Sequence, residues 1–132
     1  MTNLFHNAFG AALDVINDIA GEVVEYCTAE GRCSITAIHS PKNYNVIDTY
    51  GNPVAYQSDD WMCMIRELVI SGRPVTPRQG HKLRQPTYRA DGTATGQVNV
   101  YEVNFVAGSN VFENTTGVDY RIHMKLIGTE AR

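Results

Sequence analysis

The spacing of the hydrophobic residues changes once along the chain, close to Gly21. Before this glycine, apolar side chains recur every three or four residues, at Phe5, Phe9, Ala12, Ile16 and Ile19. After it, residues 22–28 and 33–39 are short β-branched and aromatic runs on either side of a Glu30-Gly31 turn signal. The first spacing is typical of an amphipathic helix and the second of a β-hairpin. The sequence therefore predicts a helix over residues 1–20, followed by strands.

Strand-like patterns continue to the end of the chain. Residues 61–65 are apolar on both faces, which is typical of a central strand. Residues 101–105 alternate between apolar and polar side chains. The clearest alternation is the last, in which Tyr120, Ile122, Met124 and Leu126 are interleaved with Arg121, His123 and Lys125. We expect one continuous strand there, with its basic residues on an exposed face.

Residues 41–60 interrupt this regularity. The stretch contains the turn signature Tyr50-Gly51-Asn52-Pro53 but no clear period of two or of 3.6 residues. A connection of this length without regular structure is uncommon in a compact domain, and it is usually functional or ordered only on binding. We predict a long loop that is mobile in the isolated subunit.

These elements predict one α+β, mainly β, domain over residues 1–132. The N-terminal helix (1–20) is expected to pack on a small antiparallel β-barrel or sandwich of about six strands (22–127), with the long loop 41–60 inserted in it. No internal repeat or linker divides the chain, and its 132 residues suffice for one modest core.

Composition narrows where the protein works. The chain is 43% hydrophobic and 19% charged, and no apolar run approaches the roughly 20 residues that cross a bilayer. Its first residues have neither the basic region nor the continuous apolar stretch of a signal peptide. We expect a cytoplasmic site of synthesis and no membrane partner. Three cysteines in such a chain favour reduced thiols, although a Cys27–Cys33 bridge across the hairpin stays open.

Motifs for catalysis and metal binding are absent from the sequence. It has no G-x-S-x-G, H-E-x-x-H, P-loop or G-x-G-x-x-G pattern, and its four histidines are scattered. Ser40 follows His39, but sequence neighbours on a strand point to opposite faces. The pair Asp59-Asp60 resembles half of a metal site without a partner. We therefore predict no catalytic residue, no cofactor and no metal, and we expect the histidines to lie on the surface or on strand faces.

Charge is distributed unevenly. Residues 1–31 contain five acids and no Lys or Arg, whereas residues 68–90 contain five bases and no acid. Such a chain attracts copies of itself head to tail. We predict an assembly interface that joins Asp14 and Asp18, four residues apart, to the bases Arg73, Arg78, Lys82 and Arg84. The alternatives are two ordinary solvated faces, or a phosphate backbone bound by the basic stretch.

The order of these features resembles that of a known family. In chain order they are a short N-terminal helix beginning Leu4-Phe5, a hairpin, a long polar loop, the apolar strand Trp61–Arg66, the segment Val69–Leu83 with Pro77-x-x-Gly80, the strand Val100–Val103 and the strand Tyr120–Ile127. This order is similar to that of the head-tail joining proteins of long-tailed bacteriophages and prophages, the group that includes lambda tail attachment protein-like stoppers. His81 departs from the pattern, because the P-x-x-G step commonly continues with Asp.

The resemblance implies a structural virion protein in the connector ring that joins the DNA-filled head to the tail. It implies a ring of copies in the virion, a monomer in solution, and portal and tail proteins as partners, with DNA passing through the ring. The expected location is the head-tail junction, after assembly in the host cytoplasm. Candidate contact residues of the assembly loop are Tyr44, Tyr50, Gly51 and Asn52. The alternatives are another small phage β-barrel binding module, for tail completion or nucleic-acid binding, and, least favoured, a small enzyme.

Overall fold

Twelve β-strands make up most of the described chain. The computed structural model describes residues 21–106, 110–114 and 116–132. In chain order the strands are β1 (Glu22–Thr28), β2 (Gly31–His39), β3 (Lys42–Ile47), β4 (Pro53–Ser58), β5 (Trp61–Met64), β6 (Val69–Ile70), β7 (Arg73–Pro74), β8 (Lys82–Tyr88), β9 (Ala94–Val103), β10 (Phe112–Glu113), β11 (Asp119–Ile122) and β12 (Met124–Ala131). A 3₁₀ turn, Ile65–Glu67, lies between β5 and β6.

Eight of these strands form one antiparallel sheet in the order β10-β11-β5-β2-β1-β8-β9-β12. The hairpin β1–β2 therefore lies at the centre of the sheet. It confirms the hairpin that the two β-rich runs after Gly21 predict. The strands β10 and β12 are the edges, so the sheet is open within the described residues. The pairs β3–β4 and β6–β7 form two separate two-stranded ribbons.

One face of this sheet carries the hydrophobic core, because alternate residues of a strand point to the same side. Tyr26, Leu83 and Tyr101 lie in register across β1, β8 and β9, and all are buried. Trp61 of β5 is fully buried and packs edge-on against Tyr101, with 5.4 Å between ring centroids. The strand β5 lies between β11 and β2, which confirms the prediction of a central strand there.

The predicted α+β class is wrong. The described residues contain no α-helix, and apart from the 3₁₀ turn their regular structure is β. The predicted helix over residues 1–20 lies outside the described residues. The class is decided by the much longer remainder of the chain, whose β-branched and aromatic runs are buried across a sheet. The predicted count of about six strands is low because the stretch predicted as a loop contains β3 and β4, the terminal run is divided into β11 and β12, and β6, β7 and β10 have only two residues each.

The stretch 41–60 is not an irregular loop. Its two strands pair over six positions, from Lys42 opposite Ser58 to Ile47 opposite Pro53. The period is hidden in the sequence because Tyr44, Val46 and Tyr56 are only half-buried, while most of the other arm residues are exposed. A ribbon with no fully buried face gives a weak hydrophobic alternation.

The terminal alternation belongs to two strands rather than one. The strand β11 pairs with β5, whereas β12 pairs with β9 at the other edge of the sheet. The change of partner falls at His123, whose N–H donates to Val111 O (2.8 Å) and whose carbonyl accepts from Asn104 N (3.0 Å). His123 is 1% exposed, so its predicted place on an exposed basic face is wrong.

Candidate functional site: a projecting arm and its buried anchor

The ribbon β3–β4, called here the arm (residues 42–58), pairs with no other strand of the described chain. Its turn is closed by Asp48, whose carboxylate accepts hydrogen bonds from the backbone N–H groups of Tyr50 and Asn52, both at 2.9 Å. Gly51 has φ = +80°, a conformation that favours glycine. The Tyr-Gly-Asn sequence thus builds a defined turn at the end of the arm.

Large apolar side chains are exposed at this end of the arm. Tyr50 is 89% exposed and Ile47 is 74% exposed, and Val54 is also exposed. Single exposed apolar residues are ordinary on protein surfaces, but a group of them on one projecting element marks a binding surface. We call these three residues the arm tip.

A buried carboxylate, Asp60, fixes the base of the arm. Asp60 is fully buried and accepts hydrogen bonds from four side chains. The donors are Ser58 Oγ (2.5 Å) and His123 Nδ1 (3.0 Å) to Oδ1, and Tyr44 OH (2.6 Å) and Arg121 Nε (2.7 Å) to Oδ2. Buried charge is tolerated when it is paired and its lone pairs are satisfied. We call these five residues the Asp60 cluster.

Backbone contacts complete the attachment of the arm to the sheet. Ser40 N donates to Asp60 O (2.8 Å), so the two ends of the arm are joined to each other. Asp59 N donates to Met124 O (2.9 Å) on β12, and Arg121 Nη2 donates to Ser40 O (3.0 Å). The arm therefore leaves the sheet from a rigid base, at the place where the chain passes from β11 to β12.

The electrostatics of the cluster favour the ionised pair. Burial raises the pKa of Asp60, but the hydrogen bonds from His123, Ser58 and Tyr44 outweigh it and hold that pKa below its ordinary value. Burial and the hydrogen bond to Asp60 raise the pKa of Tyr44 to about 12, so its hydroxyl stays a donor. Asp60 is thus a carboxylate that accepts bonds on both oxygens.

The contact between His123 and Asp60 does not form a catalytic triad. In a triad the histidine stands between the nucleophile and the acid, whereas here the hydroxyls of Ser58 and Tyr44 both bond to the acid. His123 and Asp60 are 1% and 0% exposed, so a substrate in solvent does not reach them. Their arrangement is suited to holding the arm in place.

The structure separates the predicted assembly residues. Tyr44 belongs to the Asp60 cluster, whereas Tyr50, Gly51 and Asn52 lie at the exposed end of the arm. Arg73 and Arg78 are exposed and line one cleft, while Lys82 and Arg84 line a different groove. Asp14 and Asp18 lie outside the described residues.

Asp60, His123 and Arg121 were missed as site residues. The sequence indicates Asp60 only as half of a metal site without a partner, because Arg121 and His123 lie 61 and 63 residues away from it along the chain. The one available signal is a histidine in an alternating run, two residues after Arg121 and therefore on the same face of a strand. Within the described residues, no group of three His, Cys, Asp or Glu side chains is arranged to hold a metal ion.

The cysteine question left open by the sequence has an answer in the register of β1 and β2. Cys33 lies opposite Tyr26 and Cys27 lies opposite Arg32, so the two thiols point to opposite faces of the sheet. All three cysteines are free thiols.

The described residues contain no helix that is long and apolar enough to span a membrane.

These features define a class of protein. The polar cluster is buried and supports a projecting element, and the end of that element carries three exposed apolar residues, among them Tyr50 and Ile47 with 89% and 74% exposure. Exposed apolar residues on a projecting element are typical of proteins that contact other macromolecules, such as structural assembly proteins.

Comparison with known protein families identifies the family to which this chain belongs. A family model described as phage head-tail joining protein matches residues 2–131, and the chain belongs to this family. The resemblance drawn from the order of sequence features is thereby confirmed. The protein is a structural virion protein that joins head and tail at the head-tail junction. A search of curated proteins finds no match to this chain.

Proposed function

We propose that this protein acts as one subunit of a ring between the head and the tail, without catalytic activity. In this proposal the ring contacts the portal on the head side and tail proteins on the other side, and DNA passes through it. The subunit is made in the host cytoplasm and enters the ring during assembly.

The observation that carries the proposal is the arm. An apolar tip on a ribbon, fixed at its base by a saturated carboxylate, presents a contact surface without exposing the core. Because the base is rigid, little conformational entropy of the base is lost on binding, which favours affinity.

A joining assay tests this function directly. Heads and tails of the encoding phage, produced without this protein, should remain separate when mixed. Addition of the purified wild-type chain should restore infectious particles, and heads incubated with it should gain the protein in sedimentation. Failure of the folded chain to restore joining would contradict the proposed function.

We further propose that charge guides self-association within this ring. The acids are Asp14 and Asp18, and the candidate bases are Arg73, Arg78, Lys82 and Arg84. Each exposed pair contributes only about 0–1 kcal/mol. A ring repeats the contact in every subunit, so the sum is large enough to matter.

The double variant Asp14→Lys/Asp18→Lys is expected to fold normally but to join heads and tails poorly. The reversal replaces an attraction with a repulsion at every subunit contact, while surface substitutions usually change stability by no more than about 0.5 kcal/mol. Thermal melts and the joining assay measure the two effects. Normal joining by the folded variant would rule out the electrostatic contact, and the fold and family would be unaffected.

A further inference from the structure

A cleft of about 800 Å³ opens at one end of the central hairpin. The β1–β2 turn, with Ala29 and Glu30, forms one wall. The β6–β7 ribbon and the segment that leads into β8 form the other walls, and they bring Arg73, Arg78 and His81 to the same opening. Pockets of 300–1,000 Å³ are the usual size of specific binding sites. The cleft therefore has room for a short segment of polypeptide.

The charges in this cleft are free to bind a ligand. Neither Arg73 nor Arg78 forms an ion pair with a described residue, and both are exposed. Burial, with Arg78 nearby, lowers the pKa of His81 below its ordinary value, so the ring is neutral at pH 7. Among the described residues that line the cleft, Glu30 is the one acid. Two arginines against one glutamate leave the cleft cationic, and guanidinium groups pair well with carboxylates.

The other two candidate bases are situated differently. Arg84 is already paired within the chain, with Glu130 (Nη1–Oε2, 2.5 Å) and Glu25 (Nε–Oε1, 3.6 Å). Lys82 shares its groove with Arg32, Arg84 and Glu130. An incoming carboxylate at Arg84 would have to compete with two existing acids. Arg84 is therefore less available to a partner than Arg73 or Arg78.

We infer that the cleft binds the acidic N-terminal segment of a neighbouring copy of this chain, with Asp14 and Asp18 pairing to Arg73 and Arg78. This inference rests on the proposed ring and assigns its charged contact to one site. The occupant is chosen by charge complementarity, because residues 1–20 carry two acids and no Lys or Arg. It is also the part of the chain that precedes the described strands.

Chain geometry favours a neighbouring copy over the same chain. The N-terminal segment joins β1 at Glu22, whereas the cleft lies at the other end of β1, beside Ala29. At about 3.3 Å per residue the two ends are about 23 Å apart. The four residue steps from Glu22 back to Asp18 cover at most about 14 Å, and Asp14 would need a fully extended path along the sheet. A segment from a second subunit has no such restriction.

Such a contact joins two different surfaces of the same chain. A contact of this kind is heterologous, and it closes into a ring when the rotation between subunits permits. The cleft and the N-terminal segment would thus supply the two sides of one repeated interface.

A charge-exchange experiment tests the inference with three double variants. The first is Asp14→Lys/Asp18→Lys, the second is Arg73→Glu/Arg78→Glu, and the control is Arg89→Glu/Lys125→Glu, two exposed bases outside the cleft. Alone, each of the first two places like charges at every contact, so joining should fall about tenfold or more. In an equimolar mixture the lysine-bearing segment of the first variant can enter the glutamate-bearing cleft of the second, and the aspartate-bearing segment of the second can enter the arginine-bearing cleft of the first. Both contacts join opposite charges, so joining should return to within about threefold of wild type. The control should join like the wild type.

Two results would overturn the assignment. One is an equimolar mixture that stays defective. If all four substitutions in a single chain then restore joining, the charges pair within one chain and not between neighbouring copies. The other is a control that loses as much activity as Arg73→Glu/Arg78→Glu. Cross-linking of a mixture in which one variant carries a size tag gives a second readout, since mixed dimers should exceed both homodimers. Cross-linking tests the contact between the cleft and the N-terminal segment independently of the joining assay. If the wild-type protein fails to join heads and tails, that result contradicts the proposed function but not the contact between copies.

Discussion

Replacing Asp60 with alanine should lower the free energy of unfolding by about 3–5 kcal/mol, because it removes one partner of a buried ion pair. Arg121 would keep its charge with its side chain only 19% exposed, and Ser58, Tyr44 and His123 would each lose an acceptor. Urea denaturation of the wild-type and variant chains measures the difference. The arm should also become more sensitive to protease than the sheet, since its base would be released.

The neighbouring acid provides a matched control. Asp59 makes a surface contact with His39 (3.5 Å between Nε2 and Oδ1) and has a side chain 32% exposed. Asp59→Ala should therefore cost no more than about 1 kcal/mol. Equal losses for the two alanine variants would show that the Asp60 cluster contributes no special stability.

The same cluster gives an acid dependence with a defined sign. The pKa of Asp60 is lower in the folded chain than in the unfolded chain. Its stabilising contribution is therefore fully present above the ordinary aspartate pKa of about 3.9, and it is lost as the pH falls through the lower, folded value. Asp60→Ala should flatten this part of the curve of stability against pH.

Replacing the exposed arm residues in Ile47→Ser/Tyr50→Ser should abolish most joining while leaving the fold intact. Aromatic side chains that anchor an interface typically contribute about 2 kcal/mol or more, which is roughly thirtyfold in affinity. The same substitutions should change the unfolding free energy by no more than about 0.5 kcal/mol, since both side chains are exposed in the monomer. The joining assay and thermal melts measure the two quantities.

A second pair of exposed apolar residues serves as control for the arm. Val23 and Tyr88 are 67% and 59% exposed on β1 and β8, in the main sheet. Val23→Ser/Tyr88→Ser should join heads and tails normally. If this pair impairs joining as strongly as the arm pair, the contact surface is not centred on the arm.

The expected mobility of residues 41–60 in the free subunit remains a prediction. The strands of the arm are paired and its base is fixed, so the turn at residues 48–52 is where we expect protease to cut the isolated protein first. Assembly should protect this turn. Early cleavage in the β8–β9 turn instead, with the arm uncut, would contradict the prediction.

Several parts of the fold follow from the sequence because they depend on neighbours in the chain. The hairpin β1–β2 and the strand β5 have apolar runs bounded by turn residues, and the need to bury one or both faces is visible within each run. The family could be recognised for the same reason, since the order of strands and turns is a property of the chain alone.

The candidate site depended on contacts between distant residues. Local spacing predicts a strand through His123, but this residue lies between β11 and β12, and only the change of partner there turns it into the interior beside Asp60. Likewise, the basic residues of the 68–90 segment look equivalent in sequence. Their separation into a cleft with Arg73 and Arg78 and a groove in which Arg84 is already paired follows from which strands lie beside β1.

The sequence by itself determined the β elements of the core and the family, because hydrophobic alternation and turn chemistry act over a few residues. The tertiary structure alone decided that residues 42–58 form an arm, that Asp60 anchors it, and that Arg73 and Arg78 share a cleft. Strand pairing across the sheet is a long-range choice, set by how all the buried faces fit together at once. That choice determines which polar side chains become buried partners and which remain available to another molecule.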